Sequence, residues 1–312
     1  MSSDVRLEWR AHDGTVWDWL SGADGVLAGR GLSGLLFPEF EQGMADAQTG
    51  GRWQGFRGRP RKISVKLQVG DNTASLHPPA FPPEDTFFPK LGKWIARDSY
   101  RRGADWRELD RSFRQSLLPT KVGTLACITP EGERTIPLIV DSVTDTIETW
   151  SDIRGFQEYD VDFTSESPFW SGTPVVFEVA AQAKTEVDYY QGRGPTFVLS
   201  EGVKLTGTSI ANPGDVEAWP VWSLTGPGQF TIGVGNVATV TKTLTAGEKL
   251  TIDTGARTVL DESGASAWSR LQSRGFAPIP AGTSSDVVVT TVDTSSASKV
   301  SMSFAPQYMG AM

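Results

Sequence analysis

The stretch "ISVKLQVG", residues 63–70, gives the clearest indication of how this chain folds. Apolar side chains occupy every second position from Ile63 to Val69, and Ser, Lys and Gln fill the positions between them. A period of two is typical of a β-strand with one buried and one exposed face. Similar alternation recurs along most of the 312 residues, so we expect a mainly β protein.

Two neighbouring segments refine this prediction. The run "GTLACITPEGERTIPLIV" reads as two strands joined by a turn at residues 130–133. Just before it, Trp106, Leu109, Phe113 and Leu117 recur at helical spacing and Pro119 follows them, which predicts one helix over about 105–117. Trp106 and Phe113 are therefore expected to be packing residues.

The stretch "NPGDVEAWPVWSLTGPG", residues 212–228, places a proline between two tryptophans in a predicted strand. Pro220 lacks a backbone N–H, and we therefore expect it at an edge strand or a bulge. In a regular strand Trp219 and Trp222 would point to opposite faces, one inward and one toward a loop or a neighbour. We assign all three residues to structural packing.

A new series of strands begins near residue 172, with turn signals about every ten residues, and this spacing favours a β-sandwich there. We expect two domains, a barrel-like β domain over 1–171 and a sandwich over 172–312. The first would carry an insertion over about 77–104, whose stretch "HPPAFPPEDTFFPK" contains Phe81, Phe87 and Phe88. We interpret this stretch as an arm that docks aromatic side chains on a neighbour; the alternative is a solvent-exposed linker.

The composition argues against several functions. The net charge of −8 and the pI of about 5.0 argue against a nucleic-acid-binding protein, because phosphate contacts need clustered Lys and Arg. The only cysteine, Cys127, cannot form an intrachain disulfide and is expected to be a small buried residue. We read neither an N-terminal signal peptide nor a membrane span.

No catalytic or cofactor motif is convincing. The glycine-rich string Gly233 to Ala238 resembles a dinucleotide site, but a β-branched run follows it instead of a helix, which favours a hairpin turn. The two histidines, His12 and His77, are too few for a histidine zinc site. We expect no enzyme, no cofactor and no metal.

Arg57, Arg59, Arg61 and Lys62 form the densest basic cluster. One interpretation is the solvent edge of the following strand, where charges discourage wrong strand pairing. The other is a row of salt bridges between subunits or a contact with an acidic neighbour. A nucleic-acid contact ranks third, because the whole chain is acidic. We take the three arginines, with the three arm phenylalanines, as candidate interface residues.

The C-terminal half resembles the distal tail protein family of long-tailed, non-contractile bacteriophages. The marks that carry the resemblance are, in order, Asn212, Pro220, Gly226, the turn Ala246-Gly247-Glu248, Ile252-Asp253, Arg257, Pro280-Ala281-Gly282 and the closing Pro306-x-Tyr308. The N-terminal half is similar more loosely, through Gly55-x-Arg57, the strand at 63–69, the helix ending near Leu117 and "TPEGERTIPLIV".

The resemblance implies a structural virion protein at the tail tip. Members form a homohexameric ring that joins the tail tube protein to the tail-tip hub or baseplate and surrounds the tape measure protein. DNA passes through the lumen without specific binding, and no membrane is involved. The N-terminal β domain would close the ring, and the C-terminal domain would be a galectin-like sandwich facing outward.

Two rival functions remain open. The eleven tryptophans keep a carbohydrate-binding tail-tip or fibre module as the main alternative, because Trp stacks on sugar rings and also packs cores and interfaces. A cell-wall hydrolase would need a pair of carboxylates. Asp160 with Asp162, or Asp261 with Glu262, are the candidate pairs, although such pairs also arise by chance in a chain with 37 acidic residues.

Overall fold

The computed structural model describes residues 5–29, 31–46, 51–70, 107–145, 156–180, 204–205 and 209–312. The chain divides into two compact units. The N-terminal unit comprises Met1–Ser171 and Met309–Met312, and the C-terminal unit comprises Gly172–Tyr308. The described part of the chain is mainly β with one α-helix, as the sequence predicted.

The elements of the first half are strands and one helix. The strands are β1 Arg6–Arg10, β2 Val16–Asp18, β3 Val26–Ala28, β4 Phe40–Asp46, β5 Gly51–Gly58, β6 Arg61–Gly70, β7 Val122–Thr129, β8 Gly132–Asp145, β9 Phe156–Ser165 and β10 Trp170–Gly172. The helix α1 covers residues 107–116 of the described chain, within the predicted range, and Trp106 lies outside the described residues.

Seven strands form a nearly closed antiparallel sheet in the N-terminal unit, in the order β2-β1-β7-β8-β9-β6-β3. Its two edges meet, because the backbone N–H of Ala28 donates to the carbonyl of Trp19 at 2.7 Å. The strand β6 is the one that the period of two predicts, and its burial alternates along nearly its whole length. The hairpin β4–β5 pairs only with itself and forms a separate two-stranded sheet.

Aromatic side chains fill the core of this unit. Trp9 stacks on Trp19 with ring centroids 6.2 Å apart and packs against Phe163 at 5.0 Å. Helix α1 covers the core with Phe113, which is fully buried and meets the edge of the Trp17 ring at 5.8 Å. The helical period thus reflects a face that packs on the sheet.

The C-terminal unit contains two larger sheets. The strands are β11 Val175–Ala180, β12 Lys204–Leu205, β13 Ser209–Ala211, β14 Val221–Thr225, β15 Gln229–Val234, β16 Val237–Thr241, β17 Lys249–Asp253, β18 Thr258–Asp261, β19 Leu271–Ser273, β20 Ser284–Val292, β21 Lys299–Phe304 and β22 Gln307–Tyr308. One sheet has the order β11-β21-β14-β17-β18 and the other β12-β20-β15-β16-β19, with β13 also pairing β20.

The inner faces of these two sheets share one hydrophobic core. Trp222 and Ile252 come from the first sheet, and Phe230 and Val289 come from the second. Two sheets that bury alternate side chains against each other form a β-sandwich.

The prediction for Pro220 was wrong. Strand β14 begins at Val221 and is central in its sheet, between β17 and β21. Pro220 precedes the strand, where its missing N–H breaks no ladder, and its carbonyl accepts a hydrogen bond from the Thr254 hydroxyl at 2.6 Å. Trp222 points into the core, whereas Trp219 is half-buried.

Candidate functional site

Arg61 lies inside the N-terminal unit and holds a turn of backbone around its side chain. Only 1% of the residue is exposed. Its guanidinium donates to the carbonyls of Pro168 at 2.8 Å, Gly34 at 2.7 Å and Leu35 at 2.9 Å, and to that of Met309. Burial lowers the pKa of Arg61 to about 10, so the group remains charged at neutral pH. Arg61 is therefore a buried structural residue and not the exposed interface residue that the sequence suggested.

The backbone that Arg61 holds is connected to the C-terminal tail. The N–H of Ala311 donates to the carbonyl of Leu35 at 3.0 Å, and Arg134 donates to the carbonyl of Gly310 at 2.9 Å. The Trp170 indole also donates to Leu35, at 3.2 Å. The loop and the tail are thus fixed by several independent hydrogen bonds.

Several exposed apolar residues lie on or next to this backbone in the sequence, and we call them the Phe37 patch. Phe37 is 76% exposed, more than any other large apolar residue of the described chain. Its companions are Leu36, Phe40 and Met312, which are 49%, 38% and 59% exposed. A rigid, exposed aromatic residue among apolar neighbours is a typical centre of a protein–protein contact.

Charged residues of both signs lie on and beside the β4–β5 hairpin. Arg57 is exposed on β5, opposite Glu41 in the register. Arg59 follows the hairpin with its side chain 54% exposed, and it lies 3.7 Å from the Glu41 carboxylate. The backbone N–H of Arg59 donates to the carbonyl of Glu39, which ties it to the loop of the patch. The candidate residues Phe81, Phe87 and Phe88 lie outside the described residues.

The candidate carboxylates Asp160 and Asp162 contact side chains of neighbouring strands. Asp162 on β9 accepts hydrogen bonds from Ser64 of β6 at 2.6 Å and from Ser142 of β8 at 2.9 Å. These two hydroxyls lower the pKa of Asp162. Asp160 lies 3.4 Å from Lys66. The arrangement links three strands across an exposed polar face of the sheet.

The candidates Asp261 and Glu262 line an open cleft of about 440 Å³ in the C-terminal unit. Asp261 accepts hydrogen bonds from the hydroxyl and backbone of Ser263, which lower its pKa. Glu262 pairs with Lys249 at 2.6 Å, and Glu248 pairs with Arg270 at 2.8 Å across the same cleft. The residues that line the cleft include no aromatic side chain on which a sugar ring could stack.

The remaining sequence candidates are the glycine-rich string, Cys127 and the two histidines. Within the glycine-rich string, Val234 and Val237 pair across a two-residue turn, and Gly235 has the positive φ of 60° that such a turn requires. This is the hairpin that we predicted. Cys127 is buried, and burial raises the pKa of its thiol. His12 is exposed, and His77 lies outside the described residues.

The described residues offer neither a metal site nor a membrane-spanning helix. They contain no cluster of three or more His, Cys, Asp or Glu residues able to hold a metal ion. In the same part of the chain, no helix has the length and apolar character needed to cross a membrane.

Sequence reasoning missed the central role of Arg61 and the Phe37 patch. The sequence carries a signal for the patch, because "LLFPEF" at 35–40 places apolar residues next to a proline outside any regular period. It carries none for the burial of Arg61, whose partners come from residues 34–35, 168 and 309.

Comparison with known proteins identifies the fold. The chain is similar to the crystal structure of the Dit protein of phage SPP1, described as a paradigm of the hub adsorption apparatus in phages that infect Gram-positive bacteria. The similarity covers 97% of this chain and 98% of that one, at 12% identity and a TM-score of 0.56. This chain therefore has the fold of a phage distal tail protein, as the resemblance predicted.

Two structures of the phage P2 baseplate, in its activated conformation with Ca or Sr, align with 93% of this chain and 99% of theirs. Both have 14% identity, and their TM-scores of 0.45 and 0.40 add no weight. No protein-family model and no curated protein sequence matches the chain.

Proposed function

We propose that this chain is a structural tail-tip protein of a bacteriophage, a distal tail protein that forms a homohexameric ring between the tail tube and the tail-tip hub. The observation that carries the proposal is the fold shared with the SPP1 Dit protein over 97% of the chain. The partners would be other copies of the chain, the tail tube protein, the hub and the tape measure protein.

The N-terminal unit is the part that we assign to the ring. Its main sheet ends in the short edge strands β2 and β3, which offer little backbone for pairing. The β4–β5 hairpin lies outside that sheet, and an isolated two-stranded hairpin needs further contacts for stability. A neighbouring subunit would supply them, in a head-to-tail contact that closes as a ring. The C-terminal sandwich would face outward.

The acidic character of the chain supports a passage for DNA that does not hold it. The net charge of −8 repels phosphates, and the exposed Arg59 lies 3.7 Å from the Glu41 carboxylate, which offsets its charge. Specific DNA binding is not part of the proposal.

The test is the size and shape of the purified full chain. Native mass spectrometry should give a species of six times 33.8 kDa, about 200 kDa, and electron microscopy of the same sample should show rings with a central opening. A protein that stays monomeric both alone and when mixed with its tube and hub proteins would contradict the proposal.

The carbohydrate-binding alternative has weaker support. The polar cleft of the C-terminal unit is the described feature that fits it best, but the charged side chains Glu248, Lys249, Glu262 and Arg270 are engaged with one another. We therefore do not propose it.

A further inference from the structure

The β4–β5 hairpin leaves the N-terminal unit as a separate ribbon. Its two strands pair with each other from Phe40 opposite Gly58 to Asp46 opposite Gly51. In the described chain, neither strand joins the ladder of the main sheet. The described contacts that orient the hairpin are therefore those at its base. They involve the entry segment, residues 34–39, and the chain that follows Gly58.

The entry segment is held at the carbonyl of Leu35. This oxygen accepts hydrogen bonds from the Arg61 guanidinium at 2.9 Å, the Trp170 indole at 3.2 Å and the backbone N–H of Ala311 at 3.0 Å. Arg61 also donates to the neighbouring carbonyl of Gly34 at 2.7 Å. A carbonyl oxygen has two lone pairs, and here donors from three separate parts of the chain converge on one. The position of the entry segment is therefore closely fixed.

The other end of the hairpin rests on the same guanidinium. Gly58 lies so close to Pro168 that a Cβ at this glycine would be 2.7 Å from the proline ring. The carbonyl of Pro168 in turn accepts a hydrogen bond from Arg61 at 2.8 Å. The backbone N–H of Arg59 donates to the carbonyl of Glu39 at 2.9 Å, which ties the two ends together. Both ends of the hairpin are thus attached to Arg61, directly or through one neighbour.

The tail, residues 309–312, contacts both the guanidinium and the entry segment. The Met309 carbonyl accepts a hydrogen bond from Arg61, and the Ala311 N–H donates to Leu35. These residues follow the C-terminal unit in sequence but belong to the N-terminal unit. The base of the hairpin therefore includes a part of the chain that lies more than 200 residues away in sequence.

Gly310 lies directly against the entry segment. A Cβ at this position would be 2.9 Å from the carbonyl oxygen of Leu36. Arg134 of β8 donates to the carbonyl of Gly310 at 2.9 Å, which connects the tail to the main sheet. A side chain at residue 310 would therefore push the tail away from the entry segment.

We propose that the tail positions the β4–β5 hairpin, and that the orientation it fixes is the one used when subunits assemble. The proposal rests on the proposed ring, in which a neighbouring subunit contacts the hairpin. A hairpin that is already held in one orientation loses less conformational entropy when a neighbour binds it. A docked tail therefore favours assembly, whereas a displaced tail leaves the main sheet folded and the hairpin mobile.

Small substitutions at Gly310 displace the tail in the full chain. Gly310→Ala adds one methyl group, and Gly310→Val adds more bulk at the same place. The φ of Gly310 is not positive, so the effect of a side chain there is steric. The matched control is Gly29→Ala, because a Cβ at Gly29 would make ordinary contacts with Lys66 at 3.5 and 3.7 Å.

The distance between the hairpin and the main sheet gives a direct readout. Spin labels are attached to Gln42→Cys on β4 and Glu158→Cys on β9, two exposed positions, and the labelled chain is diluted with excess unlabelled chain of the same variant. Cys127 is buried and the pKa of its thiol is raised, so it takes up little label. Gly310→Val should broaden the distance distribution about twofold or more, with a smaller change for Gly310→Ala and none for Gly29→Ala.

Native mass spectrometry of the same variants without labels measures assembly. We expect Gly310→Val to reduce the hexamer population about fivefold or more at fixed concentration, because the neighbour must then order the hairpin. Hydrogen exchange of β7 should stay as in the wild type, since its ladders with β1 and β8 contain no residue of the tail.

Each other outcome decides a different point. An unchanged distance distribution in Gly310→Val would overturn the positioning, and a broad distribution with hexamers at the wild-type level would overturn its role in assembly. If Gly310→Ala already removes protection from β7, the tail holds the whole unit and the proposal is wrong. A wild type without hexamers contradicts the proposed function, while the distance distributions still decide whether the tail positions the hairpin.

Discussion

Arg61 shows how a charged residue can be a structural centre. Lone charges are costly to bury unless hydrogen bonds replace the lost water, and here carbonyls from three separate parts of the chain do so. Arg suits this position because its planar group offers five donors in a fixed geometry. The adjacent Arg59 is exposed and has only a long ion pair.

Replacing Arg61 should therefore destabilise the folded protein strongly, whereas replacing Arg59 should have little effect on its stability. Arg61→Met leaves several buried carbonyls without donors, and we expect a loss of about 3 kcal/mol or more in the free energy of unfolding. Arg59→Ala is the control and should change it by less than about 0.5 kcal/mol. Urea unfolding measures both, and similar values for the two variants would contradict the central role of Arg61.

The attachment of helix α1 to the sheet depends on one buried carboxylate. Asp110 has a side chain that is 4% exposed, and it pairs with Arg114 at 2.7 Å. The Tyr159 hydroxyl of β9 donates to the same carboxylate. Burial, and then the hydrogen bond to Asp110, raise the pKa of Tyr159.

We expect Tyr159→Phe to weaken this attachment without removing the helix. A hydrogen bond to a charged group contributes about 1.5–3 kcal/mol, and the ring packing on Phe113 at 6.0 Å is retained. Hydrogen exchange of residues 107–116 should become faster than in the wild type. Unchanged exchange there, with unchanged stability, would show that the hydroxyl does not anchor α1.

The link between β6, β9 and β8 should depend on pH through Asp162. Its pKa is lowered by Ser64 and Ser142, so the native state favours the carboxylate. The resulting stability is present above about pH 4 and is lost as the pH falls through the lowered native pKa. Because Asp162 is exposed, we expect Asp162→Asn to cost less than about 1 kcal/mol at pH 7 and nothing near pH 2.

Urea unfolding at the two pH values checks this expectation. The double variant Ser64→Ala, Ser142→Ala removes both donors and should lose the same pH-dependent stability as Asp162→Asn. If the free energies of unfolding of the wild type and a variant differ by the same amount at both pH values, the assignment is wrong.

Elements with strong local periods were predictable from the sequence, and elements set by distant partners were not. The alternation of Ile63 to Val69 identified β6, and the turn at 130–133 identified the β7–β8 hairpin. Pro220 led to the wrong prediction of an edge strand or bulge, because a central strand can begin just after a proline. Only the pairing of β14 with β17 and β21 shows that it is central. Burial of Arg61 depends on contacts more than 100 residues apart in sequence, which no local pattern records.

At the scale of the whole molecule, the chain returns to its first unit. Met309–Met312 belong to the N-terminal unit, and Arg61 and Arg134 hold their backbone. Deleting residues 309–312 should therefore destabilise the N-terminal unit. We expect faster hydrogen exchange in β6 than in the wild type, and protection unchanged in β14 of the sandwich. Equal loss of protection in both strands would contradict this expectation.

Assembly should depend on the exposed arginines and folding on the buried one. Arg57 and Arg59 lie on or beside the β4–β5 hairpin, where their charges are accessible to a neighbouring subunit. Reversing both, in Arg57→Glu with Arg59→Glu, should leave urea unfolding within about 0.5 kcal/mol per site but reduce the hexamer population about tenfold or more at fixed concentration. Higher salt should weaken the wild-type ring in the same direction, since it screens exposed charges. Native mass spectrometry across a concentration series measures the effect, with Lys299→Glu on the exposed face of the sandwich as the matched charge reversal. If both variants assemble as the wild type does, the hairpin arginines have no part in the ring contact.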